Sequence, residues 1–318
     1  MEIKNLKKIE LHVHLDGSLS INSVKNKLNL DKESVEKLLI ANDNCHDLND
    51  YLEKFETPIK MLQTKNNLKE AAAELVDSLF ADNVIYAEVR FAPNKHTTNL
   101  SLEEVVEAVL EGLKNDKVKV NLLLCMMRGD SFEKNKKIID LACKYQNRGV
   151  VGIDLAGAEK LYKTSDYEEL FSYAKNLNIP FTIHAGEADG EESILSAINF
   201  GATRIGHGVR SIESEECLRL LKEKNILLEV CPTSNVQTNI CSNIKSHPIK
   251  KIIDYGISVS INTDNRTVSN TSLNNEYELL TSSFNFSEED FNRMNKDAIR
   301  RAFISDVEKQ ELINKIRK

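Results

Sequence analysis

Short runs of apolar, mostly β-branched residues recur along the chain and alternate with longer stretches in which apolar residues have helical spacing. Runs of this kind are typical of strands that are buried on both faces. We predict eight strands, which are Ile9–His14, Val84–Phe91, Val118–Met127, Val150–Leu155, Pro180–Ala185, Thr203–Gly206, Ile226–Cys231 and Ile257–Thr263.

The stretches between the strands are amphipathic, as in Leu102–Leu113, where the apolar residues share one helical face. The similar stretches are Ile138–Cys143, Tyr167–Leu177, Glu191–Phe200 and Ser214–Lys224, and the predicted helix N-caps are Ser101, Asp166 and Ser214. Strands that alternate with helices pair in parallel, and eight such units close into a barrel. No GxGxxG sequence opens a helix after the first strand, which weakens the alternative of an open doubly wound sheet. We therefore predict an α/β fold, with a single (β/α)8 TIM barrel domain over residues 1–318.

The first connection is much longer than the others. About seventy residues, 15–83, separate the first two strands, and their pattern predicts a long helical insertion after strand one. Within it, Leu48, Tyr51, Leu52 and Phe55 share one helical face. We expect this face to pack against the barrel wall, and the alternative is an apolar lid over a pocket.

Composition and charge narrow the class of protein. The chain has 318 residues, of which 41% are hydrophobic and 29% are charged, so it can bury a sizeable core. Its net charge of −7 gives no attraction to a phosphate backbone, and nucleic acid is not an expected partner. We find no signal peptide pattern, no membrane-length apolar run and no CxxC pair among the six cysteines. These features predict a cytoplasmic protein with reduced thiols and no membrane partner, and they leave its oligomeric state open.

Side chains that bind metals cluster at the ends of four predicted strands. In a barrel enzyme the active site is built at the C-terminal ends of the strands. The residues at these ends are His12, His14 and Asp16 on the first strand, His184 and Glu187 on the fifth, His207 on the sixth, and Asp264 and Asn265 on the eighth. Since residues two apart in a strand face the same side, the imidazoles of His12 and His14 both point into the mouth of the barrel.

Three imidazoles and a carboxylate form a donor set that suits Zn²⁺, with Fe²⁺, Co²⁺ or Mn²⁺ as alternatives. A centre with two metals would need a bridging ligand, which is often a modified lysine at the end of strand four. The sequence there, Gly152 to Gly157, has no lysine, so we predict one metal ion per chain. The remaining histidines, His46, His96 and His247, lie in polar sequence and are predicted to be surface residues.

The motifs HVHLDGSL, EVRFAP, GIDLAG, HAGE, GHG, CPTSN and NTDN occur here in the order that is found in adenosine deaminases. The chain therefore resembles that family, within the amidohydrolase superfamily, over nearly its full length. The resemblance implies a zinc-dependent hydrolase that converts adenosine, and 2′-deoxyadenosine, to inosine and ammonia in purine salvage. It implies one Zn²⁺ held by the ligands His12, His14, His184 and Asp264.

The resemblance also assigns roles around the metal. Glu187 becomes the proton donor, and His207 and Asp264 orient the attacking water and take part in its deprotonation. The residues expected to contact the purine nucleoside are His14, Asp16, Gly157 and Asn265. Many family members have Asp where this chain has Asn265, whose amide can donate to purine N7 at any pH.

Other positions are interpreted from the residues themselves. We predict that Arg90 is a structural cation for nearby carboxylates, and that Asp154 is able to support the site from behind. Ser234 and Asn235 are expected to cap the turn after strand seven. The alternative functions are deamination of adenine or a modified adenosine, hydrolysis of amides or esters, and binding of a nucleoside without catalysis.

Overall fold

The computed structural model describes residues 2–41, 45 and 47–316. Eight strands lie close to the eight predicted positions and are mostly buried along their length. They are β1 (Lys8–His14), β2 (Val84–Phe91), β3 (Lys119–Met127), β4 (Val150–Ala156), β5 (His184–Ala185), β6 (Arg204–His207), β7 (Leu227–Val230) and β8 (Val259–Ile261).

All neighbouring strands are parallel, and they form two sheets, β1–β4 and β5–β8. Backbone hydrogen bonds join the two sheets at both edges. Asp264, just beyond β8, donates to His12 O (3.0 Å) and accepts from His14 N (2.7 Å). On the other edge, Ile153 of β4 donates to Pro180 O (3.0 Å) and accepts from Thr182 N (3.1 Å). The strands therefore close into the predicted barrel.

Helices surround the barrel and also build the long first connection. Over the described residues they are α1 (Ile21–Leu28), α2 (Lys32–Leu39), α3 (Leu48–Leu52), α4 (Glu56–Met61), α5 (Lys65–Ala81), α6 (Leu102–Leu113), α7 (Phe132–Tyr145), α8 (Glu168–Asn176), α9 (Glu191–Phe200), α10 (Glu215–Glu223), α11 (Pro232–Gln237), α12 (Ile249–Tyr255), α13 (Leu273–Phe284), α14 (Glu288–Arg301) and α15 (Asp306–Ile316). The insertion after β1 is thus helical, as predicted. In the described part of the chain, we find no helix with the length and apolar character needed to span a membrane.

Two of the three predicted N-caps are confirmed. Ser101 accepts a hydrogen bond from the amide of Glu104 and completes a capping box, and Ser214 accepts one from Cys217. The prediction for Asp166 is wrong. It lies inside a short 3₁₀ turn, 164–167, that leads directly into α8, so no non-helical residue is left there to act as a cap.

Helix α13 carries a buried carboxylate that makes the stability of the fold depend on pH. Glu276 is fully buried and accepts hydrogen bonds from Thr233 N (3.2 Å) and Thr271 Oγ1 (2.6 Å). Burial raises its pKa to about 7, in spite of these hydrogen bonds. The folded protein therefore keeps this proton at a pH at which the unfolded chain has already lost it.

The sign of the effect follows from linkage. As pH rises from about 4.5 to about 7, the unfolded chain binds fewer protons than the folded protein, and the free energy of unfolding falls by about 3 kcal/mol. We expect Glu276→Gln to remove this loss, so that the variant gains stability relative to wild type as pH rises. Urea unfolding at pH 5 and pH 8 measures it, with exposed Glu278→Gln on the same helix as the control. An equal pH dependence in wild type and Glu276→Gln would contradict the prediction.

Candidate active site

Four side chains from β1, β5 and the end of β8 converge in the mouth of the barrel. They are His12, His14, His184 and Asp264, whose candidate ligand atoms all lie within 4.8 Å of one another. The Nε2 atoms of His14 and His184 are 3.3 Å apart, and Asp264 Oδ1 lies 3.4 Å from His12 Nε2 and 3.5 Å from His14 Nε2.

This arrangement fits a metal ion. Nε2 of His12 is buried and has no hydrogen-bond partner within the described part of the chain, and the facing Nε2 atoms of His14 and His184 are directed at the same space. Burial lowers the pKa of His14 to about 3, so its ring is neutral and can act as a ligand. Imidazole nitrogens with one carboxylate oxygen are a donor set for borderline divalent cations. The cluster can therefore hold a metal ion.

Two buried carboxylates orient the imidazoles from behind. Glu229 Oε2 lies 3.0 Å from His12 Nδ1, and Asp154 Oδ2 lies 2.9 Å from His184 Nδ1. Arg90 bridges them, because its guanidinium donates to Asp154 and to Glu229 at 2.9 Å each. Carboxylates that hold ligating histidines in this way fix the ring orientation and its tautomer. The predicted roles of Arg90 and Asp154 are confirmed, whereas Glu229 was missed.

Glu187 and His207 lie beside this cluster, with Glu187 Oε2 3.6 Å from His207 Nε2. Burial raises the pKa of Glu187 well above its ordinary value, and the negative charges of Asp264 and Glu159 raise it further. Glu187 therefore keeps its proton to a higher pH than an exposed glutamate does. Such a group can act as a general acid.

An apolar pocket opens directly above these groups. Its lining residues are His14, Asp16, Leu48, Tyr51, Leu52, Phe55, Ile59, Ala92, Lys95, Cys125, Met127, Ala156, Gly157, His184, Glu187, His207, Asp264 and Asn265. The pocket thus brings together every residue for which the sequence predicted a catalytic or substrate-binding role. Apolar walls with a few convergent polar groups are characteristic of small-molecule sites.

A family profile with the description "Adenosine deaminase" matches residues 7–318 of the chain. The chain belongs to the adenosine deaminase family.

Relatives in this family cover nearly the whole chain. The chain is 42% identical over 326 residues to an adenosine deaminase of Enterococcus faecalis, with 99% of this chain and 97% of that protein covered. It is 41% identical over 323 residues to the adenosine deaminase of Haemophilus ducreyi, covering 96% and 94%. Among solved structures, Arabidopsis ADAL complexed with IMP superposes with a TM-score of 0.88 at 29% identity, covering 100% and 98%.

In this adenosine deaminase-family barrel, the helical insertion covers the pocket. Leu48, Tyr51 and Phe55 line the cavity, and Tyr51 Oη is 2.6 Å from Ser269 Oγ in the loop after β8. The prediction that this face packs on the barrel wall is therefore wrong, and the alternative of an apolar cover agrees with the structure. The pattern of apolar residues identified the buried face but held no information on what covers it.

Two histidine predictions are also wrong. His96 and His247 are buried, with 0% and 3% of their surface exposed. His96 Nε2 lies 3.7 Å from Asp16 Oδ2, and His247 contacts Asn235. Polar neighbours in sequence suggested the surface, but each ring is enclosed by distant parts of the chain. His46 lies outside the described residues.

The prediction that Ser234 and Asn235 cap the turn after strand seven is wrong, because both lie inside α11 and their side chains bond to other parts of the barrel. Ser234 Oγ donates to Asp264 Oδ2 at 2.6 Å, and Asn235 Nδ2 donates to His207 Nδ1 at 3.1 Å. Both side chains thus hold residues of the site. Their signal in the sequence was their position at the end of strand seven, where barrel enzymes place functional side chains.

Sequence reasoning missed Glu159 entirely. Its carboxylate, fully buried, accepts hydrogen bonds from four successive backbone amides and from Ser193 Oγ, at distances of 2.5 to 3.0 Å. The amides belong to residues 186–189, the loop that carries Glu187. Glu159 also lies two residues after Gly157. One short loop therefore both lines the pocket and holds Glu187 in place.

We expect Glu159→Gln to lower kcat by about 10- to 100-fold, because the amide NH2 would face backbone donors and displace Glu187. The metal content should not change. Glu104→Gln is the control, since Glu104 accepts a backbone hydrogen bond from Ser101 at 2.9 Å on the exposed N-terminus of α6. In a Glu187→Gln background the same change should have little further effect on kcat. A loss of kcat that is equally large in that background would show that Glu159 does not act through Glu187.

Proposed function

We propose that this protein is a zinc-dependent adenosine deaminase, which hydrolyses adenosine to inosine and ammonia and also accepts 2′-deoxyadenosine. The main observation in support is that Glu187 and His207 border the same apolar pocket as three of the four cluster residues, which are His14, His184 and Asp264. The adenosine deaminases that are 41–42% identical over almost the full chain support the choice of substrate.

Zn²⁺ would be held by His12, His14, His184 and Asp264. When bound, zinc lowers the pKa of a water molecule from about 15.7 toward 7, which supplies a nucleophile at neutral pH. Zn²⁺ is proposed over other divalent cations because three imidazoles and one carboxylate suit its preference for N and O donors.

The residues of the chain would bind and orient the nucleoside. Gly157 has a positive φ of 103°, and a Cβ there would press on Met127, so its backbone can lie close to the purine ring. Asn265 would donate its amide hydrogen to purine N7, and Asp16 would accept a hydrogen bond from a ribose hydroxyl. His14, next to Asp16 in the pocket lining, would border the bound substrate as well as the metal.

Proton transfers would accompany attack at C6. The water oxygen bonds to C6, the water proton goes to the Asp264 carboxylate, and the C6–N1 π electrons move to N1, which takes the proton of Glu187. The amino group then leaves as ammonia with a proton returned by Asp264. The proton of the C6 hydroxyl passes to Glu187 as the C6=O bond of inosine forms, which restores the acid. General acid catalysis of this kind contributes about 10²–10⁴-fold.

The test of the function is a spectrophotometric assay of purified protein of known metal content, with adenosine, adenine and AMP as substrates. We expect rapid turnover of adenosine and about one zinc per chain. Removal of the metal with a chelator should abolish activity, and added Zn²⁺ should restore it. A zinc-loaded protein that leaves adenosine unchanged would refute the proposal, and turnover of adenine or AMP instead would identify a different amino-purine as the substrate.

The role of Glu187 has its own test. Glu187→Gln should lose nearly all turnover, by at least about 10²-fold, because an amide N–H is too weak an acid to transfer its proton to N1. It should keep its metal. Glu192→Gln, which removes a charge from the nearby surface of α9, is the control and should keep full activity. Activity close to wild type in Glu187→Gln would contradict the assignment.

A further inference from the structure

We propose that Asn235 and His247 are positioning residues which hold the side chain of His207 in the tautomer with its proton on Nε2. This inference rests on the proposed function, which places His207 beside the reacting water. It deepens that function by saying what the imidazole does with its proton. Three successive hydrogen bonds, which start at the backbone amide of Ile249, set the direction of each donor and acceptor.

The first hydrogen bond fixes His247. The backbone amide of Ile249 donates to His247 Nδ1 at 3.1 Å. A backbone N–H can donate and cannot accept, so Nδ1 carries no proton. The ring of His247 therefore has its one proton on Nε2. Burial lowers the pKa of His247 to about 4, in agreement with a neutral ring.

The second hydrogen bond fixes Asn235. His247 Nε2 lies 3.2 Å from Asn235 Oδ1, and since Nε2 carries the proton, the amide oxygen must accept it. The oxygen and nitrogen of an asparagine side chain are assigned from their hydrogen-bond partners. Here the protonated Nε2 of His247 identifies the atom that faces it as Oδ1. Asn235 is completely buried, so water does not compete for its amide group.

The third hydrogen bond passes this direction to His207. With Oδ1 turned to His247, the amide NH2 of Asn235 faces His207 and donates to its Nδ1 at 3.1 Å. Nδ1 of His207 is thus an acceptor and holds no proton, which leaves the proton on Nε2. This Nε2 is buried, borders the pocket and has no hydrogen-bond partner among the described residues.

The consequence concerns the attacking water. An Nε2–H group can donate to the oxygen of that water and hold it against C6, but it cannot accept the water's proton. Orientation thus falls to His207 and proton acceptance to Asp264. The sequence had given both residues a share in the deprotonation, and the hydrogen-bond chain separates their roles.

The tautomer can be measured without any turnover. We would label the histidines of the zinc-loaded protein with ¹⁵N, record long-range ¹H–¹⁵N spectra, and assign His207 from the signals that are lost in His207→Gln. We expect an unprotonated Nδ1 and a protonated Nε2 for His207, and the same pattern for His247. A protonated Nδ1 in His207 of the wild-type protein would overturn the proposal, whatever its substrate is.

The matching variant is Asn235→Asp, which replaces the NH2 donor with a carboxylate that accepts from both rings. We expect His207 Nδ1 to gain a proton in the spectra, and kcat for adenosine to fall by about tenfold or more with KM and zinc content little changed. Asn243→Asp is the control. Asn243 is an exposed N-cap in the same connection, and Asp caps equally well, so that neither its spectra nor its kcat should change.

A second variant guards against misfolding of Asn235→Asp. His247→Phe fills the same buried space but removes the donor that holds Asn235 Oδ1, so the amide is free to rotate. We expect the His207 signals to show a mixture of both tautomers, and kcat to fall by several-fold. A single Nε2–H tautomer in His247→Phe would show that His247 does not fix Asn235. If wild type has the predicted tautomer but does not deaminate adenosine, the proposed function fails while this inference stands.

Discussion

The buried ion pairs of Arg90 with Asp154 and Glu229 hold the imidazoles of the candidate metal site in place. The guanidinium lies between the two carboxylates, and all three side chains are completely buried. A charge transferred from water into a protein interior is costly unless partners of opposite sign surround it. Each member of this group is therefore stable because the others are present, and each carboxylate in turn holds one imidazole of the cluster, His184 or His12.

A second level of organisation acts on Glu187 and His207, which lie beside the cluster. The Arg90 group does not contact Glu187 or His207. Glu159 holds the loop that carries Glu187, and Asn235 holds the imidazole of His207. The backbone amide of Glu187 donates to Glu159, and the backbone amide of Ile249 donates to His247, which in turn holds Asn235. A backbone amide can only donate, so the direction of each hydrogen bond is fixed. The protein itself thus sets the orientation of both side chains. Such advance positioning is what electrostatic catalysis requires.

The helical insertion solves a different problem. A barrel mouth that is open to water would weaken every electrostatic interaction inside it. Tyr51 and its apolar neighbours close one side of the pocket, and the hydrogen bond to Ser269 ties them to the loop that carries Asp264 and Asn265. The cover and the loop that carries Asp264 are therefore parts of one packed unit, although about two hundred residues separate them in sequence.

The pattern of residues along the chain was enough to predict the strands, the order of the strand–helix units and the residues that approach the pocket. This was possible because strands and helices have short periods, and because a parallel barrel brings every strand end to the same face. That rule selects His12, Glu187 and Asp264 from the amino-acid sequence alone. The residues that hold these side chains in place, such as Glu159, Glu229 and His247, became apparent only from the three-dimensional packing. Glu159 and Glu229 bond to residues on other strands and loops, and His247 bonds to Asn235 in the same connection. Neither periodicity nor local polarity carries a signal for these contacts. Burial and the direction of each hydrogen bond are set by packing in three dimensions, and for this reason His96 and His247 looked like surface residues until the fold enclosed them.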